Sequence, residues 1–315
     1  MWGAEMVEWK EISAEEYRKC FGDSFACYVR ADFNLLNESK VEKVRFFAFE
    51  NEGYRLGIIF GQKGDWLLSP FSAPFGGFSC AKGVTIEDLD LALGALPAFA
   101  VAQKKKIEVV FPPVFYNRTY FSKCISSMLR SGFKIHHADL NNAFDLRSSV
   151  PYEKILWNMA RRNLKTAQKL NYRFVKENSE DGFATCYNVI RQNREFRGYP
   201  LKMSLEAFKR TSAVVDMDFL TLYLDEKPVA AAIVYHASKN IFQLIYWGDV
   251  PEAMECRPMN MLAHYVFDYY KELGLDYLDI GPSSEDGVPN VGLCAFKESV
   301  GCFADLKYAF VYEDV

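Results

Sequence analysis

Apolar and aromatic positions in residues 45–71 fall in three short runs, RFFAFE, YRLGIIF and DWLLSPF, set apart by the turn-forming clusters NEG and GQKG. Runs of β-branched and aromatic residues joined in this way predict a three-stranded antiparallel meander. The pattern recurs in residues 219–248, where FLTLYL, VAAAIVYH and IFQLIYWG are separated by DEKP and ASKN. After each meander the apolar period lengthens to that of a helix, in TIEDLDLALGALPAFAVAQ and in PMNMLAHYVFDYYKEL. In the second, Leu262, Val266, Tyr270 and Leu273 repeat at helical spacing, Pro258 suits the entry and Gly274 the stop. Each helix leads to one more strand, KIEVVFPP or LDYLDIGP. A helical crossover lets that strand lie parallel to the last strand of its meander.

An order of elements stated twice predicts a duplicated α/β (α+β) unit, each copy a mixed, mostly antiparallel sheet flanked by helices. The polar cluster RSSVP at 147–151 marks the join. It gives an amino-terminal domain over 1–148 and a carboxy-terminal domain over 149–315.

With 315 residues, half of them apolar, the chain can bury a sizeable core. A formal net charge of -4 argues against DNA binding through the overall field but leaves room for a local basic patch. The start, MWGAEMVEWKEISAEEY, lacks a basic segment followed by an apolar core, and no run reaches the length of a membrane span, so a cytoplasmic protein without a transmembrane segment is expected. Eight cysteines without a C-x-x-C pair fit reduced, mostly buried thiols better than disulfides or a metal site.

One segment departs from the acidic balance. Residues 154–176 hold seven Lys or Arg and no Asp or Glu. Read as a helix, they place Leu156, Met159, Ala160, Leu164, Ala167 and Leu170 on a core-facing stripe and Arg161, Lys165 and Lys169 on another face. Like charges at that spacing repel, and a phosphate-bearing ligand would relieve them, although a solvated face accounts for them equally. Farther on, RQNREFRGYP adds Arg191, Arg194 and Arg197 near an expected helix end, where arginine forks match phosphate or carboxylate oxygens.

Several chemistries lack their residues: there is no G-x-S-x-G, H-E-x-x-H, P-loop or strand-associated G-x-G-x-x-G. Of four histidines, His264 lies in an apolar helix and His236 at a strand end, as structural histidines do, and adjacent His136 and His137 would point to opposite faces of a strand. Acyl transfer to an amine needs little covalent machinery, because the nucleophile belongs to the substrate and the protein positions it and stabilises an oxyanion. Lys297, in GLCAFKESVG, is an ammonium available for that purpose.

The order of meander, helix, parallel strand and closing segment resembles the GNAT acyltransferase fold, and two such units in one chain resemble the Fem aminoacyltransferases of the FemA, FemB and FemX types and the related FemAB-like acetyltransferases. MARRNLKTAQKLNYRF is similar to the family's basic helix. ECRPMNMLAHYVFDYYKELGLDYLDIGPSSED is similar to its helix and next strand, with Asn260 near the helix start and Asp279 at the strand end. GLCAFKESVG resembles the family's Phe-Lys step before a closing strand, here DLKYAFVY.

The resemblance implies two tandem GNAT-like domains, the first a degenerate copy on the acceptor side and the second catalytic. It gives Lys297 the stabilisation of the tetrahedral intermediate, Phe296 the neighbouring position, and Asp279 a possible place as proton acceptor, against the plainer reading of a turn-capping aspartate. It makes Arg161, Arg162, Arg194, Arg197 and Asn260 candidates for substrate contacts. In SPFSAPFGGF, a loose match to the family's acceptor loop, it adds Phe75, Gly76 and Gly77.

No tightly bound cofactor is implied. The co-substrate would be acyl-CoA or aminoacyl-tRNA, and the acceptor a small-molecule or nucleotide-linked amine such as a cell-wall precursor. The loop WGDVPEAMECRPMN lacks the spaced glycines with which a coenzyme A-binding GNAT cradles pyrophosphate. A non-catalytic ligand-binding or interaction protein on the same scaffold is the competing expectation.

Overall fold

The computed structural model describes residues 8–199 and 201–314; the first seven residues, part of the amino-terminal segment read above, lie outside them. The strands are β1 (Glu8–Ile12), β2 (Lys43–Glu50), β3 (Tyr54–Lys63), β4 (Trp66–Ser69), β5 (Ser79–Cys80), β6 (Lys106–Val110), β7 (Lys134–Asp145), β8 (Tyr172–Lys176), β9 (Met217–Leu224), β10 (Lys227–Tyr235), β11 (Ile241–Asp249), β12 (Tyr277–Pro282), β13 (Ser284–Glu285), β14 (Val288–Pro289) and β15 (Phe303–Tyr312). The α-helices are α1 (Ala14–Phe21), α2 (Ala31–Leu36), α3 (Ile86–Gln103), α4 (Arg118–Arg130), α5 (Tyr152–Ile155), α6 (Asn158–Ala167), α7 (Glu180–Phe196), α8 (Leu205–Thr211), α9 (Pro258–Glu272) and α10 (Val291–Ser299).

The chain forms two compact units: the described residues up to Leu140 together with those from Asp305 on, and Asn141–Ala304. In the first unit the strand neighbours run β1-β2-β3-β4-β6-β15, with β5 beside β3. All these pairs are antiparallel except β4–β6, which is parallel from Trp66↔Lys106 to Ser69↔Val109. In the second they run β7-β12-β11-β10-β9-β8. Again one pair is parallel, β11–β12. Both units are mixed α/β, with a mostly antiparallel sheet flanked by helices.

The repeated order read from the sequence is present as β2-β3-β4-α3-β6 and β9-β10-β11-α9-β12. What the sequence did not disclose is where the closing strands go. DLKYAFVY, placed by its position in the carboxy-terminal domain, lies in β15 and pairs with β6 of the first unit, from Ala309↔Val110 to Tyr312↔Ile107. The end of β7 pairs with β12 of the second unit, from Tyr277↔Asp145 to Pro282↔Asn141. The contact division therefore falls at Leu140/Asn141, earlier than the expected join at RSSVP, and the chain crosses it twice.

Two helical expectations need correction. Leu262, Val266 and Tyr270 are fully buried in the second unit's core, but Leu273 is 56% exposed, because it stands at the cap of α9 where Gly274 adopts a φ of 79° and turns the chain away. The basic segment is not one helix. Leu156 and Trp157 are extended, α6 spans ten residues, and YRFVK leaves it to pair with β9 as β8. Leu156, Ala160, Leu164 and Ala167 join the core as expected, whereas Met159 and Leu170 are exposed. All eight cysteines are free thiols, with Cys27, Cys124, Cys186 and Cys302 buried. Among the described residues no helix is long and apolar enough to cross a membrane.

Candidate functional site

β11 and β12 are paired only from Ile241↔Tyr277 to Gln243↔Asp279. Immediately beyond, the ladder between β10 and β11 shifts register: Val234 faces Leu244 and Ile233 faces Tyr246, leaving Ile245 as the extra residue of a bulge. A bulge bends and twists its strand. β11 continues to Asp249 beside β10, no longer paired with β12. The two parallel strands therefore part at Gln243 and Asp279, and ligands of open α/β sheets bind beyond the carboxyl ends of such strands.

Asp279 sits fully buried where the strands part, and three neutral donors hold its carboxylate: Asn141 Nδ2 at 2.7 Å, Gln243 Nε2 at 2.7 Å and the Gly281 N–H at 2.8 Å. Two residues on, Gly281 takes a φ of 77° and the β7–β12 register shifts, so the end of β12 bends. Lys297 reaches this bend from α10. Its Nζ donates to the carbonyls of Ile280 at 3.0 Å, Gly281 at 2.9 Å and Pro282 at 2.9 Å, which uses all three of its protons. Only 3% of the residue is exposed. Burial lowers its pKa to about 8, although the nearby Cys302, Asp279 and Cys294 pull the other way. Alongside, Ser283 donates its hydroxyl to Asn142 Oδ1, and Phe296 packs edge-on against Trp247 of β11 with ring centroids 5.7 Å apart.

The helices after the two meanders differ at their entries. α3 begins with a complete capping box between Thr85 and Asp88, and Glu87 and Asp88 place negative charge in its first turn. α9 begins with Arg257 in the left-handed region, Pro258 at its start, no side-chain cap and no acidic residue in the first turn. Pro258 has no N–H and those of Asn260 and Met261 donate to Arg257 O at 3.2 and 3.3 Å, so this acid-free entry offers an anion the Met259 N–H and the positive end of the helix dipole. Asn260 is buried in that first turn.

The remaining expected residues fall elsewhere. Arg161 is turned inward: Nε donates to Glu153 O at 2.7 Å and Nη2 to Leu156 O at 2.9 Å, which satisfies carbonyls at the end of α5. Arg162 is exposed on α6. Arg194 and Arg197 lie at the end of α7. Phe75, Gly76 and Gly77 belong to the first unit and are buried there. Phe75 packs edge-on against Tyr28 and Tyr116, the Gly76 N–H donates to Val110 O at 2.8 Å, and that of Gly77 donates to Ser69 Oγ at 3.2 Å. A Cβ on Gly76 would stand 2.6 Å from Ser69 C and 2.7 Å from Pro70 N, so the protein's own backbone already demands a glycine there. A cleft of about 420 Å³ on the first unit, lined by Lys63, Gly64, Trp66, Leu68 and Glu108, contains none of the candidate residues.

Sequence reasoning passed over Asn141, Asn142, Gln243, Ser283, Asn193 and Asp249. A signal was available: Gln243 interrupts an apolar strand and Asn141-Asn142 sits between apolar strand residues, and buried polar groups in strands must find partners.

Residues 158–297, which lie within the second unit, match the family described as Acetyltransferase (GNAT) domain. No curated protein matches the sequence. Among solved structures the chain is similar to FemX, with a TM-score of 0.69 at 13% identity over 97% of both chains. It is also similar to the carboxy-terminal domain of a putative lysylphosphatidylglycerol synthetase from Agrobacterium fabrum, with a TM-score of 0.61 at 14% identity over 96% of this chain and 93% of that one. L-PGS from Bacillus licheniformis gives a TM-score of 0.60 at 15% identity over 99% and 95%. The chain thus shares the fold of these proteins along nearly its whole length, and the match to the GNAT domain lies within the second unit.

Proposed function

We propose that this GNAT protein is an N-acyltransferase that moves an acyl or aminoacyl group from coenzyme A or tRNA to an amine, with the acyl group lodged where β11 and β12 part. The observation that carries the reading is that parting, at the bulge after Gln243, together with the uncapped entry of α9. Either donor brings phosphate, which the α9 entry suits, and the exposed Arg162 offers a further cation. The loop before α9 lacks spaced glycines, which favours aminoacyl-tRNA over coenzyme A, and the likeness to FemX and the two synthetases supports the same choice. The acceptor would be a small-molecule or nucleotide-linked amine, a cell-wall precursor being the candidate class.

In the reaction the free amine attacks the acyl carbonyl, a C–N bond forms, the bond from the acyl carbon to the donor's oxygen or sulfur breaks, and the amine's proton leaves with the donor. Lys297 would stabilise the oxyanion by exchanging its contact to Pro282 O, the most solvent-facing of its three carbonyls, for the substrate oxygen. Asp279, held by three donors, would orient Gln243 and Asn141 at the base of the gap.

The test is amide formation, read by mass spectrometry, with aminoacyl-tRNA or acetyl-coenzyme A and a panel of amines including nucleotide-linked precursors. Product with one donor, lost in Lys297→Met, is expected. Full activity in the variant would remove Lys297 from the chemistry. The complete engagement of Lys297 by carbonyls favours one other reading, a ligand-binding protein without turnover. It would show thermal stabilisation by a donor and no amide with any acceptor.

A further inference from the structure

Asp249 ends β11 and is 5% exposed. Its carboxylate accepts from Asn193 Nδ2, 3.0 Å from Oδ1, and from its own backbone N–H, and the same Asn193 amide also donates to Asp249 O at 2.8 Å. Asn193 gets this close because residue 248 is glycine: a Cβ there would stand 2.5 Å from Asn193 Cγ. A carboxylate can accept about four hydrogen bonds, and these two neutral donors leave a buried one only partly compensated. Burial holds its pKa above the usual carboxylate range despite the nearby Arg197.

Next to Asn193 on α7, Arg194 is under-used in the opposite sense. Its Nε is buried without a hydrogen-bond partner, and its guanidinium carbon lies 5.6 Å from the ring centre of Tyr246 and 6.0 Å from that of Tyr199. Among the described residues neither Asp249, Arg194 nor Arg197 closes an ion pair within 4 Å. Phe196 and Tyr199 stand exposed beside them.

We propose that the end of β11 and the last turn of α7 form a subsite for a small molecule carrying an ammonium and an anionic group close together, with Asp249 receiving the ammonium and Arg194, assisted by Arg197, receiving the anion. An ammonium supplies the donors that Asp249 lacks, a carboxylate or phosphate supplies the acceptor that Arg194 Nε lacks, and the guanidinium fork suits either anion. Tyr246 and Tyr199 hold the guanidinium in place. A lone amine or a lone acid satisfies only half of the pair, so selection falls on the zwitterion. The subsite rests on the proposed function only in being assigned to the acceptor; it names that acceptor as an amine beside an acidic group.

The test is calorimetric titration of the full chain, without any acyl donor, using glycylglycine, glycinamide and N-acetylglycine. Glycylglycine should bind at least about tenfold more tightly than either singly charged compound, the effect of about 1.4 kcal/mol expected of one charged hydrogen bond. That preference should vanish in Asp249→Asn and in Arg194→Lys, which keeps the charge but loses the fork. Melting curves recorded first show that each variant is folded, and Arg194→Gln replaces Arg194→Lys should the latter not be. No binding of glycylglycine, equal binding of all three compounds, or a preference that survives in either variant overturns the proposal. Since no donor is present, that failure is separate from a failure of amide formation.

Discussion

Replacing Lys297 by methionine removes an ammonium that holds three carbonyls at 2.9–3.0 Å inside the second unit. Hydrogen bonds to charged groups contribute about 1.5–3 kcal/mol each, and leaving buried carbonyls orphaned costs a similar amount. Against this stands the cost of burying the charge. A pKa of about 8 in place of 10.5 corresponds to roughly 3 kcal/mol at neutral pH. The net loss for Lys297→Met at pH 7.5 should be about 3–5 kcal/mol, the range found when one member of a buried charged contact is removed.

The pH dependence gives a sharper test. The folded-state pKa lies below the unfolded one, so between about 8 and 10.5 the unfolded chain binds more protons at this site and stability rises with pH. From pH 7.5 to 9.5 the wild type should gain about 2 kcal/mol relative to the variant. Buried tyrosines and cysteines, such as Tyr17 and Cys186, whose pKa values are raised by burial, pull absolute stability down over the same range, but they are common to both proteins and cancel in the difference. Urea unfolding at the two pH values measures it. A gap between wild type and variant that stays constant or narrows as pH rises would show that Lys297 is not a buried ammonium, and would refute the geometry on which its proposed role depends.

Gly248→Ala forces a Cβ to within 2.5 Å of Asn193 Cγ and should cost about 1–3 kcal/mol by overpacking, read as a lowered urea midpoint. Arg161→Ala should lower stability by about 1–3 kcal/mol through the carbonyls it deserts at the end of α5, whereas Arg162→Ala, on the outer surface of α6, should leave the melting temperature within a degree or two; equal effects of the two would contradict the inward turn of Arg161.

Local chemistry sufficed for the elements and their order. Runs of β-branched and aromatic residues, the turn clusters between them, Pro258 and Gly274 act within a few residues of themselves, so both meanders, both crossover helices and both parallel strands could be read from the chain. The Phe-Lys step in GLCAFKESVG was visible as a pattern, but its meaning depended on Ile280, Gly281 and Pro282, more than a dozen residues away. Nothing in the spacing told that Arg161 would turn inward while Arg162 would not, because that depends on the extended Leu156–Trp157 link bringing the α5 carbonyls within reach.

Only tertiary structure decided which sheet takes each closing strand. A β-strand carries the same hydrogen-bonding groups whichever neighbour it meets, and its choice of β6 for β15 or β12 for β7 is made by packing with residues far along the chain. The same holds for the functional region: the Ile245 bulge, the parting of β11 from β12, and the pairing of Asp249 with Asn193 arise from registers between strands and from a helix laid on the glycine at 248, and neither is encoded in any one segment.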